Sequence, residues 1–243
     1  MYTFRIEMAF GERSLAIGTC LSVSHRDRWF ILTNRHNVTG RHQKTGRALH
    51  KLGAVPDRVL VYLPTRDLAN RWWVHIIHLY QDDEPVWIEH PTCPQADVVA
   101  LPFDRPPEAR CFGILLDDPF DFRVDVGDAV TAIGYPLGKP EFSLFPQWIP
   151  CKLATPHDQP FDEMPAFLIE GETRKGSSGS PVVAHRADAS GLTRSDGRPL
   201  GTNWATRFLG IYSGRLIRRE NTGLVWSLDC VRALVEAASH LKR

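Results

Sequence analysis

The sequence predicts an all-β protein made of two small antiparallel barrels with one helix at its C-terminal end. Three observations carry that prediction. Short apolar runs recur at 15–23, 29–32, 58–63, 72–79, 98–101, 129–133, 166–169, 182–184, 208–212 and 223–226, each bounded by turn residues, which is the spacing of barrel strands. With 243 residues and 43% hydrophobic content, the chain can bury one large core or two modest ones, and no stretch has a disordered or low-complexity composition. Finally, residues 227–243 place Leu228, Val231, Leu234, Val235 and Leu241 at near-helical spacing, with basic residues at the end.

In chain order, the run from Trp29 to Val38 reads as an apolar strand ending in a histidine, His36. The segment Trp73-Val74-His75-Ile76-Ile77-His78-Leu79 reads as a strand. Positions three apart on a strand face opposite sides, so His75 and His78, with His90 and Cys93 beyond them, make no metal site. Asp82, Asp83 and Glu84 form an exposed acidic turn, whereas Asp97 begins the apolar run Ala96-Asp97-Val98-Val99-Ala100-Leu101. From Asp104 to Asp125 the chain is rich in proline and acid, and Val126-Gly127-Asp128 opens a new strand pattern. The boundary is expected there, giving units 1–115 and 116–243, the second closing with the helix 227–243.

The segment Gly176-Ser177-Ser178-Gly179-Ser180-Pro181-Val182 sets a serine between glycines on a tight turn leading into a strand. Small residues let such a backbone fold sharply and bring its N–H groups close to a substrate carbonyl. A serine hydroxyl is a poor nucleophile at neutral pH until a base takes its proton, and that base needs an orienting acceptor. His36 and Asp97 supply both. Taken singly, each has a plainer reading: Ser178 as a small turn residue, His36 as a strand-end histidine bonded to backbone, Asp97 as a turn cap. Their order, His36, Asp97, Ser178, is the order of chymotrypsin-like enzymes and differs from those of subtilisins and α/β-hydrolases. The latter are further disfavoured by serine at position 180, where their nucleophile elbow needs glycine, although His185 and His240 remain formal partners.

On the segments Thr33-Asn34-Arg35-His36, Ala96-Asp97-Val98-Val99-Ala100 and Gly176 to Val182, the chain resembles the trypsin-like (chymotrypsin-fold) serine peptidases, particularly their bacterial HtrA-like branch. Gly18-Thr19-Cys20, Ile133-Gly134-Tyr135-Pro136-Leu137-Gly138 and Gly210-Ile211-Tyr212-Ser213-Gly214 extend the likeness over roughly residues 14 to 240. The resemblance implies two packed antiparallel β-barrels of chymotrypsin type. It also implies His36 as general base, Asp97 as its orienter, Ser178 as nucleophile, and an oxyanion hole from the N–H groups of Gly176 and Ser178. Ser213 matches the serine that supports the buried aspartate and lines the cleft; Glu172, Thr173, Gly214 and Arg215 complete the expected substrate-binding set. Glu172, six residues before the nucleophile, stands where relatives place the base of the primary pocket, which would favour Lys or Arg before the scissile bond. Arg174 and Lys175 beside it, and Arg215 at the pocket entrance, oppose that preference; the alternative is an internal salt bridge that fills the pocket and leaves room only for small apolar residues.

Departures from the family pattern are equally informative. Secreted trypsins have an aspartate before the nucleophile that receives a newly cleaved N-terminus; Ser177 stands there, so that activation bridge cannot form. A PDZ domain after the helix is not expected. Asn37 and Val38 replace the cysteine that trypsins place beside the histidine, and the five cysteines are odd in number and widely spaced, which fits a reducing compartment. Lys+Arg 29 against Asp+Glu 28 leaves a formal charge of +1, so neither nucleic acid nor a membrane is indicated as partner. The N-terminus lacks an apolar leader core, and a cytoplasmic peptidase without a cofactor, acting on protein or peptide substrates, is expected. The alternative is a latent or non-catalytic peptidase-fold module that binds extended peptides within a larger cytoplasmic system and is switched on by an activating protein partner.

Overall fold

Alternation of apolar and polar residues builds the first half. A computed structural model describes residues 2–66, 71–117, 120–136, 145–194, 196–216 and 221–241. Its first nine strands are β1 (Thr3–Phe10), β2 (Arg13–His25), β3 (Arg28–Thr33), β4 (Arg58–Pro64), β5 (Trp72–His78), β6 (Tyr80–Gln81), β7 (Glu84–Pro85), β8 (Ile88–Glu89) and β9 (Val99–Pro102), with a short helix α1 (Arg35–Thr39) after β3. Seven of them form one antiparallel sheet in the order β5-β4-β1-β2-β3-β9-β8, and β6 and β7 pair as a separate hairpin. Phe4, Ile6 and Met8 of β1 point into a core with Ile31, Val61 and Leu101. On its other face Arg5 is held by Glu7 at 3.2 Å and lies over the Tyr62 ring, so the half-buried charges of that strand are compensated.

The second half is a closed barrel of β10 (Ala129–Gly134), β11 (Gln147–Leu153), β12 (Ala166–Gly171), β13 (Pro181–Arg186), β14 (Ala205–Arg215) and β15 (Thr222–Ser227), in the order β10-β11-β12-β15-β14-β13. Val130, Ile149, Phe167, Val182, Leu209 and Val225 fill it. Pro150 lies just before Cys151–Leu153, the part of β11 that pairs with β12, so its missing N–H costs that ladder no bond. The connection between halves changes allegiance along its length: Ile114 bridges to Val23 of the first sheet, while Phe122 belongs to the barrel core.

A third core joins the two sheets. Leu21, Phe30 and Leu32 from the first meet Leu168, Phe208 and Trp226 from the second, beneath Val231, Leu234 and Val235 of α2 (Leu228–His240). Ser227 caps that helix, its side chain accepting from the Cys230 N–H, and Arg28 Nη1 donates to the Ala238, Ser239 and Leu241 carbonyls at the other end. The helix expected over 227–243 is thus present over 228–240; residues 242–243 lie outside the described residues. Among the described residues, no helix is long and apolar enough to cross a membrane.

All five cysteines are buried and unpaired. Burial pushes the Cys151 thiol up to about 11 and raises Cys20, Cys93, Cys111 and Cys230 as well, so every thiol is protonated near neutral pH. Since the thiolate is the reactive form, the folded protein at pH 8 will show no fast phase with a chromogenic disulfide reagent, and five thiols after denaturation. One rapidly titrating thiol in the native state would contradict this packing.

Candidate active site

Strand pairing decides where the histidine sits. β3 pairs with β9 as far as Thr33 opposite Val99 and has no partner beyond. At the buried Asn34 the chain leaves the sheet and winds into the single turn of α1, which Gly40 closes at φ 61 with its N–H on the His36 carbonyl. His36 therefore lies on a helical turn and not at the end of a strand, as its apolar run suggested. From there His36 donates its backbone N–H to Asp97 Oδ1 at 2.9 Å, and its Nδ1 lies 2.6 Å from Asp97 Oδ2.

Asp97 is 1% exposed and stands two residues before β9. Ser213 Oγ donates to its Oδ2 at 2.6 Å, and Asn34 Nδ2 holds its main-chain carbonyl, also at 2.6 Å. Ser213 comes from β14, where a register shift between Tyr212 and Gly214 inserts an extra residue opposite β15 and turns this side chain out of the barrel. Three donors thus satisfy one buried carboxylate, and an acceptor on Nδ1 leaves His36 Nε2 free for proton exchange. Asp82 and Asp83 are far from this work: both adopt positive φ in the exposed turn between β6 and β7.

Gly176, at φ 95, and Gly179, at φ 90, bracket Ser178 on a turn closed by the Ser180 N–H on the Ser177 carbonyl. A Cβ at position 179 would lie 2.0 Å from the Thr19 carbonyl oxygen, so this glycine is demanded by space as well as conformation. Thr19 is the fastener: its N–H donates to the Ser178 carbonyl at 2.9 Å and its Oγ1 to the Gly176 carbonyl at 2.8 Å, while its own carbonyl accepts from Thr33 Oγ1 at 2.8 Å. Asn37 Nδ2 in turn donates to Thr33 Oγ1. This buried network ties the serine turn of the barrel to the strand and helix that carry His36. Thr19 and Thr33 were missed as functional residues; the available signal was a threonine within one strand run and another directly after the apolar run 29–32. The N–H groups of Gly176 and Ser178 donate to nothing among the described residues.

His36, Asp97, Ser178, Ser213, Gly214 and Arg215 line one depression of about 310 Å³. No hydrogen bond joins Ser178 Oγ to His36 in it. Glu172 does not reach this depression, a correction to its expected place at the base of the primary pocket. Its side chain is 79% exposed and faces Arg174, at 4.0 Å, in a separate hollow with Trp148 and Pro150. Alternation along the chain turns its neighbour inward instead: Thr173 is buried, with Oγ1 2.5 Å from the Tyr212 hydroxyl and its carbonyl accepting from Arg215. Ser177 is fully buried, its Oγ accepting from the Arg174 N–H. His75 and His78 face opposite sides of β5, and His90 Nδ1 accepts from the Thr92 and Cys93 N–H groups; burial lowers the affinity of His75 and His90 for a proton.

The steric demand at 179 is testable against a control. Gly197 has φ 81 but open space where a Cβ would lie, so Gly197→Ala will cost only the conformational penalty, about 1–2 kcal/mol. Gly179→Ala adds a clash with backbone and will cost several-fold more, on the order of 4 kcal/mol or beyond. Thermal melts followed by circular dichroism compare them, and equal shifts would contradict the packing described.

The solved structures that share this fold include three proteases. The active form of the Rv3671c protease of M. tuberculosis is 18% identical over 99% of this chain and 82% of that one, with TM-score 0.50. The serine endoprotease of Yersinia pestis is 14% identical over 97% of this chain and 62% of that one, with TM-score 0.55. The protease Anisep of Arthrobacter nicotinovorans is 14% identical over 98% of this chain and 95% of that one, with TM-score 0.52. No curated protein matches the sequence. Residues 18–192, from the strand that carries Thr19 to the loop beyond the Ser178 turn, match the trypsin-like peptidase domain, and the chain belongs to that family.

Proposed function

We propose that this protein is a serine endopeptidase that hydrolyses peptide bonds through an acyl-enzyme. The observation that carries the reading is the buried Asp97 carboxylate on His36 Nδ1, reinforced by Ser213, with His36 and Ser178 facing one depression. Ser178 Oγ attacks the scissile carbonyl as His36 Nε2 takes its proton; His36 then returns that proton to the leaving amine. The unpaired N–H groups of Gly176 and Ser178 receive the developing oxyanion. Water, deprotonated by His36, releases the acyl group. Asp97 stays ionised throughout, holding the imidazole in the tautomer with the proton on Nδ1 and stabilising the imidazolium. The division of labour follows the two units, 1–115 carrying His36 and Asp97 and 116–243 carrying Ser178, and the five unpaired thiols support a reducing, cytoplasmic setting.

The open Ser178–His36 link favours a second reading, a latent module that closes the link only when a protein partner or substrate binds. Catalytic hydrogen bonds commonly tighten only in the substrate complex, so the same geometry suits an enzyme at rest.

Labelling with a serine-directed phosphonate separates the two. The purified, untrimmed chain will be labelled at Ser178 without processing, because Ser177 gives no site for an activating N-terminus. Ser178→Ala or His36→Ala will remove about 10⁶ of turnover, by analogy with subtilisin, and Asp97→Asn on the order of 10⁴, through the wrong tautomer. Labelling that appears only with an added partner supports the latent module, and full activity in Ser178→Ala would overturn both.

A further inference from the structure

Resting on the peptidase reading, we infer that the depression beside Ser178 selects peptides with an acidic side chain at the residue before the scissile bond. Arg215, at the end of β14, lines the depression, and its Nη2 donates to the Thr173 carbonyl. That bond holds the guanidinium across the space between β14 and the segment leading to the Ser178 turn. The rest of the fork, Nε and Nη1, has no carboxylate partner among the described residues. Among the described residues, the other ionisable side chains lining the space are His36, His42, Lys44 and Asp97. Asp97 is the single carboxylate of the set, and it is buried and already occupied by His36 and Ser213. Glu172, the one carboxylate that spacing offered to the pocket, points elsewhere.

The ligand follows from the charges. A planar, permanently charged fork with one Nη2 hydrogen anchored keeps one two-donor edge, formed by the second Nη2 hydrogen with that of Nε or Nη1, on which a carboxylate can accept two parallel hydrogen bonds. A lysine or arginine in the substrate would set a like charge against Arg215 and Lys44, and among the described residues lining the depression the one carboxylate, Asp97, is already engaged, which is discrimination by repulsion. Leu216 and Leu224 line the depression as well, and nothing lies within 4 Å of where a Gly214 side chain would start, so the substrate stem has apolar wall and open room beside the fork. A small apolar residue would leave the anchored guanidinium without a counter-charge.

Two readouts test this. Cleavage of a peptide library by the wild-type chain will enrich Asp and Glu at the cleaved position; kcat/KM for an acidic peptide will fall about 10- to 100-fold in Arg215→Ala, mainly through KM, and recover in part in Arg215→Lys. Independently of turnover, Ser178→Ala will bind fluorescein-labelled peptides carrying Glu at that position at least tenfold more tightly than their Lys counterparts, and Arg215→Glu in that background will reverse the order. A basic or uncharged profile, or binding indifferent to side-chain charge, overturns the assignment. If phosphonate leaves Ser178 unlabelled, the peptidase reading fails, while the binding series still decides the charge preference.

Discussion

Everything at this site depends on the burial of one carboxylate. Asp97 is removed from water between two sheets, where an ionised side chain is costly unless its oxygens are satisfied. The His36 backbone, the His36 ring and Ser213 satisfy them, and these donors come from different halves of the molecule: the turn after β3 and the bulge in β14. The charge therefore stabilises the docking of the halves and fixes the imidazole together. Neither half supplies a complete set of donors, which makes the site a property of their packing.

Thr19 performs the matching task for the serine turn. Its backbone and hydroxyl hold the Ser178 and Gly176 carbonyls, and Thr33 and Asn37 extend the chain of bonds to α1. Gly179 lets the backbones approach closely enough for these bonds to form. Serine and imidazole are thus positioned by two short polar networks that cross the same interface, each embedded in a largely apolar core.

The strands were legible because most of the chain alternates or runs apolar between turn residues. β1 was not read as a strand: Phe4, Ile6 and Met8 alternate with Arg5 and Glu7, charges on its other face that are compensated by each other and by Tyr62 on β4 only once the sheet is formed. β11 was hidden by Pro146 and Pro150, and α1 by the apolar run that continues past the last paired residue of β3. The identities of His36, Asp97, Ser178 and Ser213 could be read from motif and order. What each neighbour faces could not: one position separates the exposed Glu172 from the buried Thr173, and spacing alone does not choose between them. A β-bulge such as the one that aims Ser213 leaves no mark in the sequence either.

The central claim is that Asp97 holds the His36 ring with its proton on Nδ1, leaving Nε2 toward Ser178. Nitrogen and proton NMR of the specifically labelled histidine measures this directly. A low-field Nδ1–H resonance from His36, coupled to a proton-free Nε2, is expected, weakened in Ser213→Ala and lost in Asp97→Asn. A His36 ring protonated on Nε2, or one whose signal is indifferent to Asp97, would contradict it.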